Sequence, residues 1–201
     1  FSLNLNDTKQ PDLNILIDEK NYSSFILKEP NLAWKDHYVI LGDPMYVNGH
    51  YKLSKILKNS FLSLRILSKN LFAFKKKNRT IKLQFDFFHG MGILDKAIDV
   101  LDEKERNDFR KFVNNEHSFN RENMFICRSK KLMHEYFLSV FTWLEKCEPI
   151  FGFNLKGYDK TRIYTFLAER YLPYWFNKYS KPLSWPVFFF DTNKKKLNLK
   201  K

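Results

Sequence analysis

The segment between residues 161 and 174 constrains the fold more than any other part of the chain. Apolar side chains lie on nearly every side of the helix that it predicts: Ile163, Tyr164, Phe166, Leu167, Ala168, Tyr171 and Leu172. A helix that is apolar all round is a buried helix. We therefore expect the rest of the chain to enclose this segment.

One narrow stripe of the same helix is polar. Arg162, Thr165 and Glu169 share it, because residues seven apart in a helix are offset by only about 20°. A buried carboxylate is costly unless it is paired or borders a cavity. Glu169 could form a structural ion pair with Arg162, Arg170 or a lysine. Alternatively, it faces a cleft, where it acts as an acid or base or positions a hydroxyl group.

The residues before this helix predict a strand and a long helix. The unbroken apolar run from Met124 to Cys127 is typical of a strand that is covered on both faces. Ser129 is suited to cap the N-terminus of the next helix, and Pro149 and Gly152 are expected beyond its end. Its large aromatic face predicts packing on the sheet and consists of Leu132, Tyr136, Phe137, Val140, Phe141 and Leu144.

Shorter signals predict the remaining elements. Strands are predicted at 13–17, 37–41, 81–87 and 185–190, either from alternation of apolar and polar residues or from a short apolar run. Apolar residues at helical spacing predict further helices at 52–74 and 93–113. The helix at 52–74 is basic and amphipathic, so it is either an ordinary surface helix or one that lies on an anionic membrane.

Composition limits the class of protein. Hydrophobic residues make up 44% of the chain and aromatic residues 17%, which is ample for a packed core. No apolar run approaches the roughly 20 residues that a membrane span needs. Cys127 and Cys147 match no zinc-binding spacing and are expected as reduced, buried thiols. The net charge of +13 favours phosphate-rich partners, whether nucleic acid, anionic lipid or a nucleotide sugar.

Four motifs in order carry a resemblance to a known family: NMFI at 123–126, HEYFLSVFTWLE at 134–145, YDKTR at 158–162 and FLAERYL at 166–172. They resemble a family of bacterial glycosyltransferases, long described only as a domain of unknown function. Its genes lie in clusters for capsule, lipopolysaccharide O-antigen and galactan synthesis. The family's pattern after the Arg begins with Gly, where this chain has Thr165. The resemblance is close over about 85–190 and loose over 1–84.

The resemblance implies an α/β fold, namely the C-terminal part of a GT-A-like glycosyltransferase fold that is helix-rich with a small mixed sheet. The opening residues FSLNLND are similar to those that follow the family's nucleotide-binding half. We therefore expect one partial glycosyltransferase domain at 1–192 and a basic tail at 193–201. Part of the donor site would then lie in the missing half.

The resemblance also implies the function, which is transfer of a sugar from a nucleotide-sugar donor to a growing surface polysaccharide or a lipid-linked acceptor. A UDP-sugar of the galactose type is the first guess for the donor. Glu169 and His89 are the predicted catalytic residues, and Asp95 is a weaker match to an acidic residue of the family. Substrate contacts are expected from Asn123, Tyr158, Arg162 and Arg170.

Metal dependence and location stay open at this stage. The chain contains no Asp-x-Asp motif, so we assign no metal ligands, although the missing half could hold Mn²⁺ or Mg²⁺. Arginine and lysine could instead neutralise the leaving diphosphate. We expect a cytoplasmic protein, with peripheral contact to the inner face of the plasma membrane and no nucleic-acid partner. The alternatives are a basic nucleic-acid-binding module and a truncated, inactive transferase remnant.

Overall fold

The computed structural model describes residues 29–47 and 79–187, except the side chain of Asp159, together with the backbone of 190–191 and 196–197. The strand predicted at 13–17 and the basic helix predicted at 52–74 lie outside the described residues. So does most of the basic tail at 193–201. Within the described part, the protein is helix-rich with a small mixed sheet, as predicted.

Helices supply most of the described structure. After the 3₁₀ helix Leu32–Asp36 they are α1 Ile81–His89, α2 Ile93–Asp99, α3 Glu103–Asn115, α4 Lys130–Phe151, α5 Tyr158–Thr161 and α6 Ile163–Tyr179. None of these described helices is long and apolar enough to cross a membrane.

The strands are short and form three small sheets. They are β1 Val39–Gly42, β2 Met45–Tyr46, β3 Ser118–Phe119, β4 Phe125–Cys127, β5 Leu183–Trp185, β6 Phe190–Asp191 and β7 Lys196–Leu197. The largest sheet has the order β4-β1-β5, in which β1 is antiparallel to β4 and parallel to β5. Strands β2 and β3 pair with each other, as do β6 and β7.

Helix α6 is the buried helix that the sequence predicts, and it is the centre of the core. It is longer than expected and ends at Tyr179, while Arg162 separates it from the single turn α5. Its buried hydrophobic residues include Ile163, Leu167, Tyr171, Leu172, Tyr174, Trp175 and Phe176. Helices α3 and α4 cover it through ring contacts such as Phe109–Tyr171 and Trp143–Tyr171, whose centroids lie 5.2 and 4.9 Å apart. Aromatic side chains of α3 and α4 thus help to enclose α6.

The prediction of a strand at 81–87 is wrong, because these residues form α1. Thr80 caps the helix, since its hydroxyl accepts a hydrogen bond from the backbone N–H of Leu83 at 3.3 Å. Ile81, Phe85 and His89 are buried at four-residue spacing, so helical packing uses the same apolar residues that mimic strand alternation. The helix predicted at 93–113 is likewise wrong in extent, because it is divided into α2 and α3 around Asp102.

Helix α4 begins at the predicted residue, but it ends later than predicted and buries a different face. The backbone N–H of Leu132 donates to the Ser129 hydroxyl at 3.2 Å, which confirms the cap. Pro149 lies inside the last turn rather than beyond the helix, which ends at Phe151. Phe137 and Phe141 are exposed, contrary to the predicted face. The buried face is instead formed by Tyr136, Val140, Trp143 and Cys147, because α4 packs chiefly on α6 and meets the sheet through β4.

Two strand predictions also need correction. Strand β4 is not covered on both faces, since Met124 and Ile126 are 43% and 45% exposed. It lies at the edge of its sheet and pairs only with β1 within the described residues. The strand predicted at 185–190 is interrupted, because pairing with β1 ends at Trp185, before Pro186. The strand predicted at 37–41 is confirmed as β1.

The two cysteines are free, but only Cys147 is fully buried. Burial raises the pKa of the Cys147 thiol to about 12, so very little thiolate forms at pH 8. Cys127 is half-buried, and its Sγ donates to the Ser129 carbonyl at 3.3 Å. We expect a thiol reagent at pH 8 to modify Cys127 first. Cys147 should react only on unfolding, as counted by mass spectrometry with and without denaturant; equal rates in the native protein would contradict this.

Candidate functional site

A cleft of about 240 Å³ lies where α6 meets the turn that precedes β4. Its wall contains three arginines and two glutamates in addition to neutral polar and aromatic side chains. The lining residues are Gln84, Arg121, Glu122, Asn123, Tyr158, Arg162, Thr165, Phe166, Glu169 and Arg170. The polar stripe of α6 faces this cleft, as its helical spacing predicts.

Glu169 forms one of the predicted ion pairs and also borders the cleft, so the structure contains the geometric part of both interpretations that the sequence leaves open. One carboxylate oxygen, Oε2, forms an ion pair with Arg170, and the other, Oε1, accepts a hydrogen bond from the backbone N–H of Glu122 at 2.9 Å. The Glu169 side chain nevertheless borders the cleft and is 14% exposed. Each carboxylate oxygen has two lone pairs. Glu169 can therefore still accept a hydrogen bond or a proton from a ligand hydroxyl group.

Arg170 is the buried cation of the site, with a side chain only 4% exposed. It donates to the Phe166 carbonyl and to Gln84 Oε1, both at 3.2 Å. Burial lowers its pKa to about 10, which Glu169 opposes and the nearby charge of Arg121 reinforces. Because this value is far above 7, the guanidinium stays charged at neutral pH and holds Glu169 in place.

Arg121 is a cleft residue that the sequence reasoning missed. Its guanidinium carbon lies 5.5 Å from the centre of the Phe119 ring, and its Nη2 donates to the Tyr46 carbonyl at 3.2 Å. Burial lowers the pKa of Arg121, and the charges of Glu169 and Glu122 oppose that shift. No helical or strand spacing connects Arg121 to α6, so only the tertiary fold brings it into the cleft.

The turn after Arg121 has an unusual backbone. Glu122 and Asn123 have φ values of 75° and 49°, in the left-handed region that residues other than glycine seldom adopt. Contacts to α6 hold both residues there. The Glu122 N–H donates to Glu169, and Asn123 Nδ2 donates to the Thr165 carbonyl at 3.2 Å. Backbone strain of this kind persists only where surrounding contacts impose it, and it concentrates at functional sites.

Tyr158 and Arg162 form the mouth of the cleft. Tyr158 is 66% exposed, and its hydroxyl accepts a hydrogen bond from Arg162 Nη1. The Arg162 guanidinium lies 5.2 Å from the Tyr158 ring centre and 5.4 Å from that of Phe166. Among the described residues, no carboxylate lies within salt-bridge distance of Arg162.

The structure gathers five of the six predicted site residues and separates the sixth. Glu169 and the four predicted substrate contacts all line the cleft. His89 is buried behind the cleft wall, where its ring stacks on Phe166 with centroids 4.0 Å apart and meets Phe85 at 4.7 Å. His89 therefore contacts the cleft residue Phe166 without lining the cleft itself, and its catalytic role stays a prediction.

Asp95, the weaker candidate, does not line the cleft. It pairs with Lys82 at 2.7 Å, and Lys82 pairs at the same distance with Asp86. These contacts join α1 to α2. In the part of the chain that the structure describes, no three His, Cys, Asp or Glu side chains come together as a metal site. The cleft itself does not fit a divalent cation, because three guanidinium groups surround its two carboxylates.

Comparison with known proteins gives one match. No curated protein and no solved structure matches this chain. The model of a family described as "Domain of unknown function (DUF4422)" matches residues 20–181, which include the whole cleft and most of the chain. The protein therefore belongs to the DUF4422 family.

Proposed function

We propose that this protein is a glycosyltransferase that moves a sugar from a nucleotide-sugar donor to a hydroxyl group of a saccharide or lipid-linked acceptor. One observation carries the proposal: the carboxylate of Glu169 is held in a cleft among three guanidinium groups. The resemblance of the cleft-forming motifs to bacterial capsule and lipopolysaccharide glycosyltransferases supports the same conclusion. So does the helix-rich α/β architecture, which suits part of a GT-A-like fold.

The chemistry of sugar transfer matches the groups in the cleft. The acceptor oxygen forms a bond to the anomeric carbon, the bond from that carbon to the phosphate oxygen breaks, and the acceptor hydroxyl loses its proton. Glu169 receives this proton or positions the hydroxyl group. Arginine side chains neutralise the negative charge of the departing nucleoside diphosphate. These roles need no metal ion in this cleft.

The remaining parts of the proposal concern substrates and location. A UDP-sugar of the galactose type is the donor that we would test first, because the resembling family serves galactan and O-antigen synthesis. The acceptor is then a growing surface polysaccharide or its lipid carrier. Such acceptors are assembled at the inner face of the plasma membrane, where a protein of net charge +13 is attracted to anionic lipid.

Thermal unfolding against a panel of nucleotide sugars, with and without Mn²⁺, tests this function. A ligand at 100 times its Kd stabilises a protein by about 2.7 kcal/mol. For a chain of this size that corresponds to a rise in Tm of several degrees. We expect such a rise with one UDP-sugar, followed by detection of sugar transfer from it.

A nucleic-acid probe is the control for that experiment. Binding to DNA or RNA that weakens steeply with salt, without any response to nucleotide sugars, would favour the nucleic-acid-binding alternative. No response to either class of ligand and no sugar transfer would indicate an inactive remnant. Either result would contradict the proposed function.

A further inference from the structure

Two aromatic rings hold the three guanidinium groups of the cleft next to one another. The Phe119 ring lies between Arg121 and Arg170, whose guanidinium carbons are 5.5 and 4.7 Å from its centre. The Phe166 ring in turn contacts Arg170 at 5.8 Å and Arg162 at 5.4 Å. Cation–π contacts of this kind partly compensate the burial of charge. The arrangement therefore maintains three cations in one place without matching them with three anions.

The lining of the cleft carries a positive surplus, with three guanidinium groups against two carboxylates. Among the three arginines, only Arg170 has a carboxylate within salt-bridge distance in the described structure, namely Glu169. Arg121 and Arg170 also repel each other. Arg121 Nε is buried and has no hydrogen-bond partner among the described residues. A ligand that supplies negative charge and several acceptor oxygens would compensate this surplus through the guanidinium N–H groups that line the cleft.

We propose that the cleft binds a diphosphate group, with Arg121 and Arg162 as its contacts and Arg170 as a fixed charge behind them. Guanidinium groups match phosphate oxygens because two parallel N–H donors meet two oxygens. The cleft volume of about 240 Å³ is below the roughly 300–1,000 Å³ of pockets that enclose a complete ligand. The cleft thus suits one charged group, while the rest of the ligand extends past Tyr158.

This inference rests on the proposed function and adds which part of the substrate the cleft receives. Two substrates of a glycosyltransferase carry a diphosphate: the nucleotide-sugar donor and a prenyl diphosphate carrier on the acceptor side. The chemistry that the cleft recognises is the same for both. Isothermal titration with inorganic pyrophosphate, UDP and geranyl diphosphate separates the two sources, because only the group beyond the diphosphate differs.

Four proteins enter this titration: the unchanged protein, Arg162→Ala, Arg162→Lys and Lys131→Ala. Loss of a hydrogen bond to a charged group corresponds to at least about a tenfold change in affinity. We expect Arg162→Ala to weaken diphosphate binding by at least that factor and Arg162→Lys by less. Lys131→Ala removes one positive charge from a side chain that is 87% exposed and outside the cleft, so binding should not change.

The result also depends on salt and on the probe. Binding should weaken as ionic strength rises, because part of the attraction is between exposed charges. Tighter binding of UDP than of geranyl diphosphate would assign the cleft to the donor, and the reverse order would assign it to the lipid carrier. The inference is overturned if no diphosphate binds, or if Arg162→Ala binds as the unchanged protein does while its Tm is preserved.

Failure of this inference can be told apart from failure of the proposed function. Sugar transfer without Arg162-dependent diphosphate binding would leave the function standing and remove only the assignment of the cleft. Diphosphate binding that depends on Arg162, without transfer from any nucleotide sugar, would support the anion site and contradict the proposed activity.

Discussion

Glu169→Gln is expected to lower the rate of sugar transfer by about 100-fold or more, the range that a general acid or base contributes. Glutamine keeps the shape of the side chain, and its carbonyl oxygen can still accept the hydrogen bond from the Glu122 backbone N–H. It cannot accept a proton near neutral pH and carries no charge opposite Arg170. Turnover is therefore the property that should change most, measured as release of UDP from the donor that the thermal panel identifies.

A matched substitution controls for loss of charge on the protein. Glu145 is exposed on α4 and does not line the cleft, so Glu145→Gln removes the same charge from a position outside the candidate site. It should leave turnover within about twofold, because a surface substitution away from a site changes stability by less than about 0.5 kcal/mol. Glu169→Gln removes the counter-charge of Arg170 and should therefore lower the Tm. The rates of all variants are to be compared at a temperature below that Tm.

The pH dependence of the rate separates the two roles that the geometry allows for Glu169. If the carboxylate removes the proton from the acceptor, the pH–rate profile of the unchanged protein has an acidic limb, because a protonated base cannot accept a second proton. The residual rate of Glu169→Gln would lack this dependence. If Glu169 only positions the hydroxyl group, the acidic limb of the profile persists in the variant. A full rate in Glu169→Gln would exclude both roles.

Local helix geometry explains why the polar stripe of α6 is predictable. The spacing of Arg162, Thr165 and Glu169 fixes their common face regardless of what surrounds the helix. The structure places all three on the cleft wall. Burial of α6 follows for the same reason, since a helix with apolar residues on every side has no face suited to water. These relations are properties of a single segment, so the sequence contains them.

The missed features depend on contacts between distant segments. The backbone N–H of Glu122 meets Glu169 across 47 positions of the chain, and no periodicity links Glu122 or its neighbour Arg121 to α6. The short apolar alternation at 81–87 fits either a strand or a helix, and packing of α1 decides it, through Phe85 against Arg170 and His89 against the Phe166 ring. The exposed Phe137 shows the same limit, because the orientation of α4 is set by its partner α6 rather than by its own composition.

Removing the buried guanidinium should have the largest effect on stability. Arg170→Ala is expected to lower the free energy of unfolding by about 3–5 kcal/mol, the cost of removing one member of a buried ion pair. Glu169 loses its counter-charge, Gln84 loses a donor, and a gap opens beside Phe85 and Phe119. Since native proteins are stable by only about 5–15 kcal/mol, urea unfolding should show a clear loss.

Arg110→Ala is the matched control for this substitution. Arg110 is about one-third exposed and pairs with the exposed Asp99 at 2.7 Å, so its removal should lower stability by no more than about 1 kcal/mol. If Arg170→Ala lowers the free energy of unfolding by no more than Arg110→Ala does, the buried ion pair of Arg170 and Glu169 does not have the stabilising role expected here.

A double-mutant cycle then separates charge from packing at Arg170. Arg170→Met retains most of the side-chain volume but leaves Glu169 unpaired, and Glu169→Gln removes that charge. If the ion pair dominates, the double variant should be more stable than the sum of the single losses predicts, by an interaction energy of about 0.5–3 kcal/mol. Simple additivity would mean that the aromatic contacts of Arg170 dominate instead. Its charge would then serve the ligand of the cleft rather than the fold.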